Sequence, residues 1–424
     1  MKDSGIDWIG KIPEEWIVSK AKTILHNKTV KNHPNAEVLS LYRDLGVVPK
    51  NSRDDNHNVT SEDTSSYKFV QKGELVLNKM KTWQGSLAVS NYEGIVSPAY
   101  YVCEFTNNEI DKNYIHYLLR NKMYAQEFER LSTGLRVGQW DLSIDDFLNT
   151  LIIYPPTKAE QTKIARFLDK KCAQIVSIIE ESKKSIEEYK SWKQSVIFEA
   201  VTGKNLSCKK KDSGIEWLGE IPEEWEAKRF KSIIDSFEKG NGITKEEVFS
   251  DGDTFCVRYG EIYSKYDNSF ENCFSKTFKD KIPVKKYFSN GGLLFVGTGE
   301  LVEEIGKCVA YLGNEQCLAG GDIIIAKHKQ NAKFLSYAMN SHYVQAQKSC
   351  NKAKLKVVHI SATEIGNVLL ALPPISEQKS IAKFLDAKCA QIDSLISEKQ
   401  SLIKGLVEYK KSLIFEAVTG KRRV

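Results

Sequence analysis

The side chains best placed for chemistry in this chain are cations and amides beside predicted turns. The run Asn78–Lys79–Met80–Lys81–Thr82–Trp83–Gln84–Gly85 is polar and basic, with one aromatic, between two predicted strands. Lys79 and Lys81 suit phosphates, and the paired donor and acceptor of Asn78 and Gln84 match an adenine edge. Trp83 reads better as a core plug. A second run, Ser132–Thr133–Gly134–Leu135–Arg136–Val137–Gly138–Gln139, has a positional equivalent in Asn351–Lys352–Ala353–Lys354–Leu355–Lys356–Val357–Val358. Arg136 and Lys356 fall on matching positions, with Gln139 and Lys354 in the same runs. A cation kept while its neighbours change fits a backbone phosphate contact that sets register; a surface ion pair fits as well. Further candidates are Arg43, Arg258 at the corresponding place, and Lys327, Lys329 and Gln330 after a predicted strand.

Enzyme readings fare worse. Leu293–Val296 followed by Gly297–Thr298–Gly299 looks like the strand and glycine turn of a cofactor site, but a lone GxG is a weak signal. The counterpart stretch, Gly73–Met80, has no such glycines, so a strand-to-loop turn is the better reading. Tyr154–Pro155–Pro156–Thr157 and Leu372–Pro373–Pro374–Ile375 lack the flanking residues of an amino-methyltransferase motif and read as helix starts. Walker, HExxH and nucleophile-elbow patterns are missing. The nine cysteines include no CxxC pair, which signals neither a disulfide framework nor a zinc site. Cys172 and Cys389 occupy matching positions and read as small buried thiols. No catalytic residue and no metal ligand is expected.

With 424 residues, the chain suits two to four domains. It is 41% hydrophobic and 27% charged, ordinary for a globular protein, and its net charge of +6 is compatible with a polyanionic partner. No apolar run reaches the ~20 residues of a membrane helix. The charged N-terminus lacks a signal-peptide core, which predicts a cytoplasmic protein with no membrane partner.

The elements that must position these groups come in two copies. KDSGIDWIGKIPEEW at 2–16 returns as KDSGIEWLGEIPEEW at 211–225 with three changes. ARFLDKKCAQI at 165–175 returns as AKFLDAKCAQI at 382–392, and IFEAVTGK occupies both 197–204 and 414–421. Between these blocks the halves have little in common. After each proline pair, apolar residues recur at spacings of three and four. They include Ile164, Leu168, Ile175, Ile178 and Ile186 in one copy and Ile381, Leu385, Ile392, Leu395 and Ile403 in the other, offset by 217 throughout. The pattern predicts two amphipathic helices of about 40 residues with a near-heptad seam. Thr157 with Glu160 has capping-box spacing, Ser376 is the N-cap candidate of the second helix, and Gly203 and Gly420 are the C-caps. Each helix needs a partner, and the other copy is tethered in the same chain; a two-fold would make the pair antiparallel. The inserts read as strands at 37–41, 75–78, 86–89 and 100–105 before a helix at 112–130, and at 254–259, 292–296, 307–311 and 322–326 before a helix at 332–348. The expected class is α+β with a pseudo-two-fold internal repeat: a domain at 1–154, a helix at 155–204, a domain at 205–372 and a helix at 373–424, the helices forming an antiparallel coiled coil.

The blocks GIDWIGKIPEEW and GIEWLGEIPEEW, PPTKAEQTKIARFLD and PPISEQKSIAKFLD, and the doubled IFEAVTGK resemble the specificity (S) subunit of type I restriction–modification systems, over the whole chain and in the family's order. The resemblance implies that each insert is a target-recognition domain for one half of a bipartite, asymmetric duplex DNA site. It implies that the helix pair is a spacer and a docking surface for two adenine-N6 methyltransferase (M) subunits, and through them for restriction/translocase (R) subunits. It places methyl donor, ATP and Mg on those partners, with no cofactor and no catalytic residue on this chain. The inserts vary within the family, so no contact residue transfers by motif. Two rival readings are a self-sufficient DNA methyltransferase built on Phe295–Glu300, and a coiled-coil adaptor that does not bind DNA.

Overall fold

Strict alternation of buried side chains builds the first insert. Leu75, Leu77, Leu87, Val89 and Cys103 point to one core, and Val76, Ala88 and Val102 between them point to another. A strand turns successive side chains to opposite faces, so this sheet is covered on both sides. In the computed structural model, residues 1–52, 63–134, 140–216, 218–350, 352 and 357–424 are described. They form two units, Met1–Ser182 with Ser401–Val424, and Lys183–Gln400.

In the first unit the sheet runs Leu25–Lys28, Tyr100–Phe105, Leu75–Asn78, Leu87–Val89, all antiparallel. One face meets the hairpin Leu39–Tyr42/Gly46–Pro49 and the pair Lys68–Val70/Gly94–Val96. The other meets helices Lys112–Leu119 and Lys122–Leu131. In the second unit the order is Ile234–Lys239, Ile323–His328, Leu293–Val296, Cys308–Tyr311, with Ser269–Phe270 added at the edge. The alternation recurs: Leu293, Phe295, Cys308, Ala310, Ile324 and Ala326 face one core, and Leu294, Val296, Val309, Tyr311, Ile323 and Ile325 the other. The two inserts share a topology despite their unlike sequences.

The single helices expected at 112–130 and 332–348 are each two. The first breaks at Asn121, which is extended (φ −66°, ψ 147°) and whose side chain accepts from the Met123 N–H. The second breaks at Ser341 (φ −65°, ψ 149°). A residue that can cap also offers the backbone a way out of the helix, and propensity alone does not reveal the break.

The long helices are Lys158–Thr202 and Ile375–Val418. Thr157 Oγ1 accepts from the Glu160 N–H (3.4 Å), but the reciprocal half of the box is missing because Glu160 Oε1 accepts from Trp16 Nε1 (3.3 Å). Ser376 is not a cap: it lies in the first turn, where the Pro374 carbonyl accepts from the Gln378 N–H (3.0 Å). In the first unit, Ile164, Leu168, Ile175 and Ile179 share a core with Leu413, Ala417 and Val418, joined by half-buried Ile403 and Leu406. In the second unit Lys193 pairs with Asp393 (2.8 Å), while Ile197, Ala200 and Val201 share a core with Leu385 and Ala382. Later residues of one helix meet earlier residues of the other, so the segments run antiparallel. Ile186 and Ile392 are buried and Ile381 is half-buried. Ile178 and Leu395 depart from the expected seam and are exposed. A heptad stripe drifts on a helix of 3.6 residues per turn, and Ile179 is buried in place of Ile178.

Each long helix ends on the repeated N-terminal block. Gly420 (φ +68°) and Gly203 (φ +71°) have left-handed backbone, and a Cβ at either would lie 2.4 Å from Pro13 or Pro222 respectively. The tryptophans that close these blocks are buried, with Trp16 Nε1 on Glu160 and Trp225 Nε1 on Glu377 (2.9 Å).

Candidate nucleic-acid interface

Two segments that the sequence separates by more than fifty residues meet at one edge of the first unit. The loop after strand Leu75–Asn78 carries Lys79, whose N–H donates to the Ala99 carbonyl (3.2 Å) and whose carbonyl accepts from the Leu142 N–H (3.0 Å). Leu142 is buried, and the next residue, Ser143, caps helix Ile144–Asn149 by accepting from the Asp146 N–H. Thr133 and Asp141 bridge across the segment that follows the second short helix. Trp83 and Trp140 lie with ring centroids 5.5 Å apart, and Trp83 packs against the core as a plug.

The second unit repeats this junction with different residues. Gly297 donates to the Asp322 carbonyl (2.7 Å) and accepts from the Ile360 N–H (2.9 Å). Ile360 is buried, and Ser361 caps helix Ala362–Asn367. Thr298–Gly299 pairs with Val358–His359, and Thr298 Oγ1 lies 3.1 Å from His359 Nδ1. The glycine turn is thus the counterpart of the Lys79 loop, and its backbone groups are used in strand pairing. A cofactor cradle would need those groups free.

The predicted contacts fall unevenly about these junctions. Arg43 Nη2 donates to Gln84 Oε1 (2.9 Å), which joins two candidates at the surface. Asn78 Oδ1 accepts from the Met80 N–H (3.0 Å) and shapes its own loop. Lys79 Nζ sits 4.7 Å from the centre of the Tyr101 ring, and Lys81 is exposed. Arg258 is half-buried beside Glu261 (3.4 Å) at a short helix start, and Lys327 pairs with Glu238. Gln330 lies away from the junction, where its Oε1 accepts from Gln378 Nε2 (2.8 Å) at the start of the second long helix. Lys329 is exposed. Arg136, Gln139, Lys354 and Lys356 lie outside the described residues.

Some groups at this site escaped the sequence reading. Lys68, a buried residue, also lies over the Tyr101 ring (5.2 Å) and donates to the Tyr100 carbonyl (2.6 Å). Its pKa is lowered by burial first, then by Lys79 and Lys31 nearby. Two like charges thus share one ring with a third, Lys31, nearby, an arrangement that an incoming phosphate would relieve. In the second unit Lys276 stacks on Phe255 (4.8 Å), and Lys281 on Phe249 (4.0 Å) and Phe278. That basic and aromatic patch had a visible signal, five lysines between 276 and 286. The Lys68 cluster had none, because only the sheet register brings residues 68, 79 and 101 together.

Among the described residues no group of three or more His, Cys, Asp or Glu could hold a metal, and no helix is long and apolar enough to cross a membrane. Cys172 and Cys389 are buried residues of the long helices, and burial pushes both thiols up.

A family model for the type I restriction modification DNA specificity domain matches residues 13–188 and 222–404, most of the chain. A type I restriction enzyme MjaVIII specificity subunit of Methanocaldococcus jannaschii is 23% identical over 85% of this chain and 83% of its own length. The type I restriction enzyme EcoKI specificity subunit of Escherichia coli is 22% identical over 97% of this chain and 90% of its own. A chain from a structure concerned with complex assembly and conformational transition of the type I R-M system superposes with a TM-score of 0.73 at 14% identity, covering 97% of this chain and all of that one. The HsdS subunit from Thermoanaerobacter tengcongensis gives 0.59 at 14% identity, covering 97% and 98%. These likenesses carry the fold, and the two family matches coincide with the two repeats. The chain belongs to the type I restriction–modification DNA specificity family, as a DNA-recognising specificity subunit and not a catalytic one.

Proposed function

We propose that each unit reads one half of a bipartite, asymmetric duplex DNA target. The supporting observation is the doubled junction: one topology and the same two backbone bonds at Lys79 and at Gly297, beside Met80 and Asp141 in one unit and Thr298 and His359 in the other. Unlike readers on a like frame call for unlike half-sites. Lys79, Lys81, Arg43 and Lys329 supply phosphate contacts, with buried Lys68 adding its charge beneath Lys79, which gives salt-dependent affinity blind to sequence. In this reading Arg136, Gln139, Lys354 and Lys356 join them. Base-edge contacts then discriminate by roughly 1–3 kcal/mol each.

The long helices set the unread spacer and dock two adenine-N6 methyltransferase subunits. Exposed apolar residues recur on them 217 positions apart: Ile178 with Leu395, and Trp192 with Tyr409. A surface written twice suits two identical partners. Each partner reaches an adenine in one half-site and flips it from the stack. Restriction subunits join through the methyltransferases in the cytoplasm, and methyl donor, ATP and Mg stay on those partners.

Mapping modified adenines in DNA exposed to this chain and its methyltransferase tests the reading. The expected result is one two-part motif with unlike halves. Inserting four residues in each long helix should change the spacer and keep both halves. A change in half-site identity would refute the spacer role, and turnover of methyl donor by the chain alone would refute the division of labour.

A further inference from the structure

We infer that the position two residues before the capping serine, Asp141 in the first unit and His359 in the second, is a base-reading position of each unit. The inference rests on the proposed half-site reading and names residues that determine it. Both side chains are exposed, and each is followed by a buried residue whose N–H is locked to the junction carbonyl, Leu142 on Lys79 and Ile360 on Gly297. The backbone beneath is therefore fixed, which a discriminating contact requires. The next residue, Ser143 or Ser361, is pinned as a helix cap. The two settings differ in one pairing: Asp141 bridges to Thr133, and His359 pairs with Thr298.

The chemistry of each residue fits a base edge better than a phosphate. Asp141 is a carboxylate on the unit that gathers Lys31, Lys68 and Lys79, and its charge acts on the Tyr101 hydroxyl. A phosphate would repel it, whereas an exocyclic amino group, such as cytosine N4, donates to it. His359 is backed by Thr298 through Nδ1 (3.1 Å). We take the Thr298 hydroxyl as the donor to Nδ1, which puts the ring proton on Nε2 as a donor. A donor there suits the N7 and O6 acceptors of guanine. The two units would thus read opposite patterns from one position: an acceptor in the first, a donor in the second.

The test uses the full chain with its methyltransferase. Modified adenines are mapped for the wild type, Asp141→Ala, Asp141→Asn, His359→Ala and His359→Gln. The Asp141 variants should relax one base position in one half-site, and the His359 variants one position in the other. Discrimination at that position should fall roughly 5- to 150-fold. A two-part wild-type motif left intact in every variant, with modification lowered evenly, overturns this inference and leaves the half-site reading standing. A wild type without a two-part motif overturns both. Where a variant modifies nothing, competition between duplexes altered at single positions decides, using the purified complex: unchanged discrimination overturns the inference, and loss at one position supports it.

Discussion

Lys348 is a cation inside a core, and its removal should stabilise the second unit at neutral pH. The residue lies on helix His342–Ser349, is 3% exposed and donates from Nζ to the Gly306 carbonyl (2.7 Å). Burial pulls its pKa down to about 8, from 10.5. A lysine whose folded pKa is depressed is held in its unfavourable charged form below that pKa. The unfolded state binds more protons between pH 8 and 10.5, so stability rises with pH there. At about 1.36 kcal/mol per unit the full penalty is roughly 3 kcal/mol at pH 7, and about 2 kcal/mol of it is relieved by pH 9.5. Lys348→Met removes the charge and leaves the Gly306 carbonyl without that donor, which costs about 1–3 kcal/mol. The variant should therefore be about 0–2 kcal/mol more stable at pH 7 and should lose its advantage by pH 9.5. Urea titrations of both proteins at the two pH values measure the gap, and other titrating groups cancel in the difference. A gap that does not move with pH refutes a charged Lys348 in the core.

His116 in the first unit has the same logic with an acid limit. Burial, and then Arg120, lower its pKa to about 4, and its Nδ1 accepts from the Val89 N–H (3.2 Å). Its contribution is complete above pH 6.5 and is lost as pH falls toward 4, about 3 kcal/mol in all; His116→Asn should lack this acid loss, and matching acid midpoints would count against it. Gly420→Ala should destabilise by at least about 1–2 kcal/mol, because a left-handed residue gains a side chain against Pro13. Thermal melts check this, and a neutral result would show that the helix end shifts freely. Lys79→Ala should weaken binding to all duplexes alike and flatten the salt dependence by about one ion; a loss confined to one sequence would make Lys79 a base reader.

The frame was legible in the sequence because it is periodic and doubled. Strands Leu75–Asn78 and Tyr100–Phe105 appear where β-branched and aromatic residues lie between turn formers, and both glycine caps end their helices. The helix breaks at Asn121 and Ser341 were not, since an Asn or Ser inside an amphipathic run has ordinary propensity. The surroundings of the candidate site were legible only where they are local. Lys79, Lys81 and Arg43 are local features of loops, whereas Lys68 reaches Tyr101 only through the register of two sheets. Gln330 carries a role that its neighbours did not reveal: a candidate from the lysines beside it, it accepts from Gln378 at the start of the second long helix. Local composition cannot distinguish a side chain that faces a ligand from one that fastens an element.

That distinction explains how one frame tolerates two sequences. The bonds that hold the frame use the same side chains in both units. Gln161 Nε2 donates to the Pro155 carbonyl and Gln378 Nε2 to that of Pro373; Tyr117 meets Asp169, and Tyr337 meets Asp386. The bonds that tie the two segments at the junction carbonyl are backbone ones, Leu142 to Lys79 and Ile360 to Gly297, with Thr298 Oγ1 meeting His359 Nδ1 above them in the second unit. A backbone bond is indifferent to the side chain above it. Met80 and Thr298, or Asp141 and His359, can therefore differ while the junction holds its shape. If instead a side chain at these positions held the junction, its replacement would unfold the loop along with the motif. Asp141→Ala and His359→Ala should therefore melt within about 0.5 kcal/mol of the wild type, as surface substitutions do. A loss of several kcal/mol would return both residues to the frame.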